Sequence, residues 1–124
     1  MVNKQDYTNA IIQNIEIVRG DTLAFNFELT GLGSENVYKD LAVTFAVVEQ
    51  YDGAKLVEVT KANGITLESY DSTSDTALFS VCVAPSMTKT LDVARYYYDL
   101  QIKDTENVLT LMRGDFTLVY DVAD

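Results

Sequence analysis

Residues 94–103, ARYYYDLQIK, and residues 108–120, VLTLMRGDFTLVY, decide the fold of this chain. In the first stretch every second residue from Tyr96 to Ile102 is apolar, which is the period-two pattern of a strand with one buried face. The polar residues 104–107 separate it from the second stretch, so together they predict a long antiparallel hairpin. Because an isolated hairpin is marginally stable, we expect a second sheet to cover its apolar face.

The apolar phase of the second stretch shifts by one residue near its middle. Leu109 and Leu111 stand at odd positions, whereas Phe116, Leu118 and Tyr120 stand at even positions. Arg113 and Gly114 lie at the shift, and glycine accepts the positive φ that a bulged residue often needs. The sequence therefore predicts a β-bulge at Arg113 and Gly114.

Further stretches of the chain alternate in the same way and are separated by turn signals. They predict strands at residues 14–18, 22–30, 41–49, 55–60, 65–70 and 77–83. Asp52 and Gly53 indicate a hairpin turn, residues 31–40 are predicted to form a loop, and Ser86 is expected to cap one helical turn near residues 86–91. The spacing predicts an all-β fold, a Greek-key antiparallel sandwich of about seven to nine strands.

A leucine followed by a tyrosine at the start of the next strand is typical of the corner that pins a crossover in many sandwiches. Leu91 and Tyr96 fill those places, and we expect the tyrosine hydroxyl to bond the backbone a few residues upstream. Tyr97 and Tyr98 follow directly, so the sequence leaves open which tyrosine does so.

Length and composition fit one domain without membrane or signal segments. A chain of 124 residues can bury about two-thirds of its unfolded surface in one core. Its 48% apolar residues include no run near the roughly 20 that span a bilayer, and its N-terminus lacks the basic and apolar regions of a secretory signal. We expect an N-terminal arm at residues 1–12, a single β-sandwich domain at residues 13–124, and no membrane partner.

The charge balance and the cysteine count exclude several classes of site. A net charge of −10, from 19 acidic and 9 basic residues, opposes nucleic acid, whose affinity for proteins comes chiefly from Lys and Arg on phosphates. Cys82 is the only cysteine, so an intrachain disulfide and a thiol-rich metal site are impossible. In its apolar run it is expected to be a small buried hydrophobe.

The residues that usually carry catalysis are missing or scattered. Without histidine the chain lacks the commonest general base, and it has no glycine-rich phosphate loop. Asp71, Thr73 and Asp75 alternate like the opening of a calcium loop, but the glycine and closing glutamate of that loop are absent, which favours a solvated turn. We expect no enzyme activity, no catalytic residue, no metal and no cofactor.

Four tyrosines lie in or beside predicted loops. Aromatic rings at such places can contact a protein partner or a sugar, although packing in the sandwich core and at strand ends is the default explanation of such residues. The candidate partner-binding residues are Tyr7, Tyr38, Tyr51 and Tyr70.

Three motifs together carry a family resemblance. They are RGDTLAFNF at residues 19–27, DLAVTFAV at residues 40–47, and ARYYYDLQIKD at residues 94–104 followed by LMRGDFTL at residues 111–118. This set resembles the immunoglobulin-like β-sandwich domains of tailed-phage and prophage structural proteins. The similarity is to the N-terminal domain of the baseplate upper protein of lactococcal-type siphophages in particular.

The resemblance implies a virion building block, assembled in the host cytoplasm, that serves in a tail or baseplate. It implies binding to other phage structural proteins and a homo-oligomer in the particle, and it transfers no site residue because its motifs mark a fold. An accessory adhesion or carbohydrate-binding module of a bacterial surface protein remains the alternative.

Overall fold

The structure, a computed structural model, describes residues 10–121. The predicted strands are confirmed to within one residue at each end. In chain order the strands are β1 (Ile11–Ile12), β2 (Ile15–Val18), β3 (Leu23–Thr30), β4 (Ala42–Val48), β5 (Lys55–Val59), β6 (Ile65–Asp71), β7 (Thr76–Val83), β8 (Arg95–Lys103) and β9 (Val108–Val119). Two short helices complete the elements, α1 (Glu35–Asp40) and α2 (Pro85–Thr88), and neither is long enough to cross a membrane.

The strands form two sheets in the arrangement of an immunoglobulin-like sandwich. The larger sheet has the order β1-β9-β8-β4-β5, with β2 also paired to β9, and the smaller sheet has the order β3-β7-β6. All pairings are antiparallel except those of β1 and β2, which lie parallel to β9. The all-β, immunoglobulin-like sandwich is confirmed. Residues 11 and 12 of the expected arm form β1, and residues 1–9 of that arm lie outside the described range.

The core lies between the two sheets and consists of the predicted inner faces. Phe45, Phe79, Phe116 and Leu100 are fully buried. Across the interior, the rings of Phe25 and Phe45 meet edge to face with centroids 5.8 Å apart, which joins β3 of the smaller sheet to β4 of the larger. The alternation of each strand therefore leaves one outer face per sheet.

The predicted bulge exists, but it lies before Arg113 and Gly114. The β8–β9 register shifts where Leu100 pairs with Met112 and Gln101 pairs with Thr110. Gly114 does not have a positive φ. The chain between β1 and β2 crosses directly over Gly114. A Cβ atom at this position would therefore collide with the Gln13 carbonyl oxygen. A close backbone approach, rather than a turn, requires this glycine.

The tyrosine corner is confirmed and assigned to Tyr96. Its hydroxyl donates a hydrogen bond to the Asp92 carbonyl oxygen at 2.7 Å. Leu91 is partly buried against the core, as the pattern predicted. Burial raises the pKa of Tyr96, because the phenolate would be desolvated there. The neutral phenol is therefore the form that pins this connection.

The two helices differ from the predictions. Residues 31–40 were predicted to be a loop, yet they contain α1, which the neighbouring chain stabilises. The Lys61 ammonium group donates to the carbonyl oxygens of Tyr38 and Lys39, each at 2.9 Å, near the C-terminal end of α1 where a cation is favourable. The prediction that Ser86 caps the second helix was wrong, because α2 begins at Pro85 with Ala84 as its N-cap.

Cys82 is exposed, which corrects the expectation of a buried thiol. It lies opposite Ala24 on the outer face of the smaller sheet, since its neighbours Val81 and Val83 point into the core. A strand cannot bury three consecutive side chains on one face, because successive side chains point to opposite faces. The apolar composition of residues 77–83 therefore predicted the wrong face of the sheet for the Cys82 side chain.

Candidate binding face

A depression of about 900 Å³ lies on the outer face of the larger sheet. We call it the trough. Its floor follows β4 and β8, Val108 lies at one end beside Lys103, and Tyr51 and Tyr97 lie at the other end. Along its side, Ile12 is paired with Arg113. The trough is therefore bordered by five strands of one sheet.

Small side chains on β4 make the trough deep. Ala42, Thr44 and Ala46 are the outward residues of this central strand, and larger residues stand on the strands beside it. The sequence shows the same feature, because the second side of β4, which ends at Val48, consists mostly of small residues. A central strand with short outward side chains leaves space that a partner can fill.

Exposed apolar side chains border the trough. Ile12 is 69% exposed and Val108 is 52% exposed. Isolated exposed hydrophobic residues are common, but these two border the same depression as an exposed aromatic pair. Their position gives the trough an apolar edge that water covers in the isolated chain.

Tyr51 and Tyr97 form a stacked pair at the closed end of the β4–β5 hairpin. Their ring centroids are 4.5 Å apart with 26° between the planes. Tyr51 is 76% exposed, so one face of the stack is supported by Tyr97 and the rest meets solvent. A ring held in this way is a rigid contact surface with little conformational entropy left to lose on binding.

Polar groups occupy the middle of the trough floor. The Gln101 amide nitrogen donates to an Asp99 carboxylate oxygen at 3.1 Å and lies 3.4 Å from the Thr110 hydroxyl oxygen. Burial raises the pKa of Asp99, and the hydrogen bond from Gln101 partly offsets that rise. The carboxyl group is thus partly desolvated and already has a donor.

The trough also concentrates positive charge. Three of the nine basic residues of the chain line it, Lys55, Lys103 and Arg113, against one of the nineteen acidic residues, Asp99. Lys55 pairs with Glu58 at 2.9 Å, whereas Lys103 and Arg113 form no ion pair among residues 10–121. An acidic protein therefore carries, on this face, two cations that have no ion pair among the described residues.

A second tyrosine cluster surrounds Asp75 at the β6–β7 turn. The Tyr38 hydroxyl lies 3.2 Å from one Asp75 carboxylate oxygen and the Tyr70 hydroxyl 3.0 Å from the same oxygen, while the Gly33 N–H donates to the other at 2.8 Å. The Gly33 hydrogen bond is the main reason that the pKa of Asp75 is lowered. Asp75 has a φ of 50°, a left-handed conformation that aspartate tolerates better than most residues. Both carboxylate oxygens of Asp75 thus already have hydrogen-bond donors from the protein. This favours the interpretation of residues 71–75 as a turn over their interpretation as a calcium loop.

The four tyrosines that were predicted to contact a partner have different surroundings. Tyr7 lies outside the described residues. Tyr38 is fully buried, which corrects its assignment to a contact surface, because its hydroxyl also accepts the Leu32 N–H at 3.1 Å inside the fold. Tyr70 is partly buried against the core. Tyr51 is exposed and reaches the trough.

Sequence reasoning missed the other residues of the trough. Alternation places Tyr97 on the outward side of β8 but does not show which residues lie across from it. Ile12 lies in a segment without a clear hydrophobic period, and Val108 directly follows the hairpin turn, so neither carries a signal of its own. The sequence did contain one signal of this surface. Tyr97, Asp99 and Gln101 are alternate residues of β8, so an aromatic ring and two hydrogen-bonding groups lie on the same outward side of the strand.

Among the residues that the structure describes, no three His, Cys, Asp or Glu side chains come together in a way that could hold a metal ion.

No protein-family model matches the chain, and a search of curated proteins finds no match. Similar solved structures include a family 123 glycoside hydrolase from Clostridium perfringens, from a study of glycolipid glycan hydrolysis, at a TM-score of 0.48 and 11% sequence identity. The similarity covers 98% of this chain and 26% of that one, so the chain spans about a quarter of the hydrolase's length. At this level of similarity the hydrolase's activity does not transfer to the chain.

Proposed function

We propose that the chain is a non-enzymatic assembly domain of a phage or prophage virion, a tail or baseplate component that binds other structural proteins through the trough. The motifs at residues 19–27, 40–47 and 94–118 support the virion role through the family resemblance. The observation that carries the proposal is the apolar border of the trough. Ile12, Val108 and Tyr51 are all more than half exposed around one depression, and a partner that covers them removes apolar surface from water.

The composition of the trough fits a protein interface. Interface centres are poor in charged residues and rich in aromatic ones, with polar groups nearby that form hydrogen bonds. The floor has this composition, since small residues of β4 lie next to the Tyr51 and Tyr97 rings and to the Gln101 amide. Charged side chains such as Lys103 and Arg113 are exposed, as the residues at the rim of a protein interface usually are.

Virion incorporation tests this role. Particles would be produced in a host strain that expresses the tagged 124-residue chain, purified by density gradient and examined by immunoblotting. We expect the wild-type chain in the particle fraction and Val108→Asp strongly depleted from it, because a carboxylate would be desolvated at the apolar border.

Ile11→Asp is the matched control. Ile11 is 62% exposed but does not line the trough, so this variant should enter particles like the wild type. If the wild-type chain is absent from purified particles, the virion role is refuted. Equal depletion of both variants would refute the trough as the contact surface.

The Tyr51–Tyr97 stack favours a second candidate, a carbohydrate-binding module. A supported aromatic ring beside the hydrogen-bonding groups of Asp99 and Gln101 has the components of a sugar site. A glycan array tests it, with Tyr51→Ala as the variant and Tyr120→Ala as the control, because Tyr120 is 70% exposed and does not line the trough. A hit that Tyr51→Ala alone abolishes supports this function, and the absence of any hit refutes it.

A further inference from the structure

The trough and the outer face of the smaller sheet carry charges of opposite sign. The three strands of the smaller sheet contain no lysine and no arginine. Their outward positions include Glu28, Glu68 and Asp71, which we call the acidic face. The trough, on the other side of the sandwich, has three cations and one carboxylate.

From this complementarity, and on the basis of the proposed assembly function, we infer that the trough binds the acidic face of a second copy of this chain. The two surfaces lie on opposite sides of one molecule, so the contact is heterologous and repeats from copy to copy. Such contacts produce a ring when the rotation closes and an open filament when it does not.

The charged groups that would take part are available in the single chain. Lys103 and Arg113 have no ion pair among the described residues, and both are exposed. On the acidic face, Glu28 has no hydrogen bond or ion pair among residues 10–121, and Glu68 accepts one hydrogen bond from the Ser80 hydroxyl at 2.6 Å. A contact between the faces therefore forms ion pairs without breaking existing ones.

Apolar groups are available on both surfaces as well. The acidic face has Leu78 between its carboxylates, paired with Glu28, and the exposed neighbours Ala24 and Cys82. The trough offers Val108 and Ile12 at its border. Apolar contact would supply most of the affinity, while the opposite charges would select the orientation and suppress trough-to-trough and acidic-to-acidic contacts.

Charge reversal on each face separately tests the inference with the purified chain itself. Sedimentation velocity from about 1 μM to about 1 mM covers the range in which weak to moderate protein contacts dissociate. We expect the wild type to associate within this range. Lys103→Glu with Arg113→Glu should weaken association at least about tenfold, and Glu28→Lys with Glu68→Lys should do the same, because each replaces attraction by repulsion.

Mixing the two reversed variants is the decisive measurement. In the mixture, the unchanged acidic face of one variant meets the unchanged trough of the other, and the two reversed faces also complement each other. Association should therefore return to within a few fold of the wild type. The control Lys39→Glu with Lys89→Glu changes the net charge of the chain as much as the trough variant does, at exposed positions in or next to the two helices, and should associate normally.

Each contrary result overturns the inference. A wild-type chain that stays monomeric up to about 1 mM excludes the contact at useful strength. Loss of association in the trough variant alone indicates a symmetric trough-to-trough dimer, and failure of the mixture to recover excludes complementarity of the faces. If self-association fails while Val108→Asp still loses particle incorporation, the proposed assembly function stands with a different partner.

Discussion

Two parts of this molecule contain a tyrosine pair and an aspartate, and they do different things. Around Asp75, Tyr38 and Tyr70 lie with ring centroids 5.5 Å apart, and their hydroxyls converge on one carboxylate. In the trough, Tyr51 and Tyr97 stack beside Asp99, and neither hydroxyl forms a hydrogen bond within residues 10–121. The first cluster meets its polar requirements within the fold, whereas the second presents its rings to solvent.

The pKa values of Asp75 and Asp99 are shifted in opposite directions, in line with this difference between the two clusters. Hydrogen-bond donors lower the pKa of Asp75, because they stabilise its charged form. Burial raises the pKa of Asp99, because few donors replace the water that it loses. The Asp75 cluster therefore contributes to stability, and the trough holds a polar group that a ligand can still satisfy.

The largest effect is expected from Tyr38→Ala. Tyr38 is fully buried, so its removal leaves a cavity and two polar groups without their partner, which should lower the free energy of unfolding by about 3 to 5 kcal/mol. Urea denaturation followed by circular dichroism measures this. A loss below about 1 kcal/mol would contradict a structural role for the Asp75 cluster.

Tyr38→Phe isolates the hydroxyl group. It keeps the ring but leaves the buried Leu32 N–H without its acceptor, so we expect a loss of about 1 to 3 kcal/mol. Tyr51→Phe is the matched control and should be neutral, since the Tyr51 hydroxyl forms no hydrogen bond within the described range. Equal effects of the two changes would remove the distinction between the clusters.

The pH dependence of stability should differ in sign between Asp75→Asn and Asp99→Asn. The folded pKa of Asp75 is lowered, so its carboxylate stabilises the fold above the unfolded pKa of about 4, and this contribution is lost as pH falls through the folded value. Asp75→Asn should therefore be less stable than wild type at pH 7, with the gap narrowing in acid.

The raised pKa of Asp99 has the opposite consequence. Its charged form is disfavoured in the fold above the folded pKa, so Asp99→Asn should be as stable as wild type or more stable at pH 7 and should lose that advantage in acid. Denaturation midpoints between pH 3 and pH 7 test both variants. Parallel curves for the two variants would refute the contrast.

Of the two substitutions that remove a whole tyrosine ring, Tyr51→Ala is expected to have the smaller effect on stability. The ring is mostly exposed and stacks only on Tyr97, so the cost should stay below about 1 kcal/mol. Thermal denaturation measures it. A cost as large as that of Tyr38→Phe would show that the stack supports the fold rather than a contact surface.

The sequence determined every strand except β1, the inner faces of those strands and the fold class, because alternation with period two is a local pattern that does not depend on neighbouring strands. Leu100, Phe79 and Val81 are buried as the alternation of β7 and β8 requires. The sequence also predicted a tyrosine corner after Leu91, and the structure decided that Tyr96 forms it. Cys82 went to the wrong face only where apolar composition was preferred to the period.

Tertiary structure alone decided the parallel pairing of β1 and β2, the helix α1, and which tyrosines meet solvent. The i,i+4 spacing of Glu35 and Lys39 is compatible with a helix but too short a signal to predict one, and the further support comes from Lys61, distant in sequence, and from burial of Tyr38. Glycine is likewise required at position 114 because the backbone at Gln13 passes close to it, and not because the chain turns there. The solvent exposure of a side chain depends on which strands become neighbours in the sheet. The surroundings of a residue such as Tyr51 are therefore set by the assembled sheets and not by the local sequence.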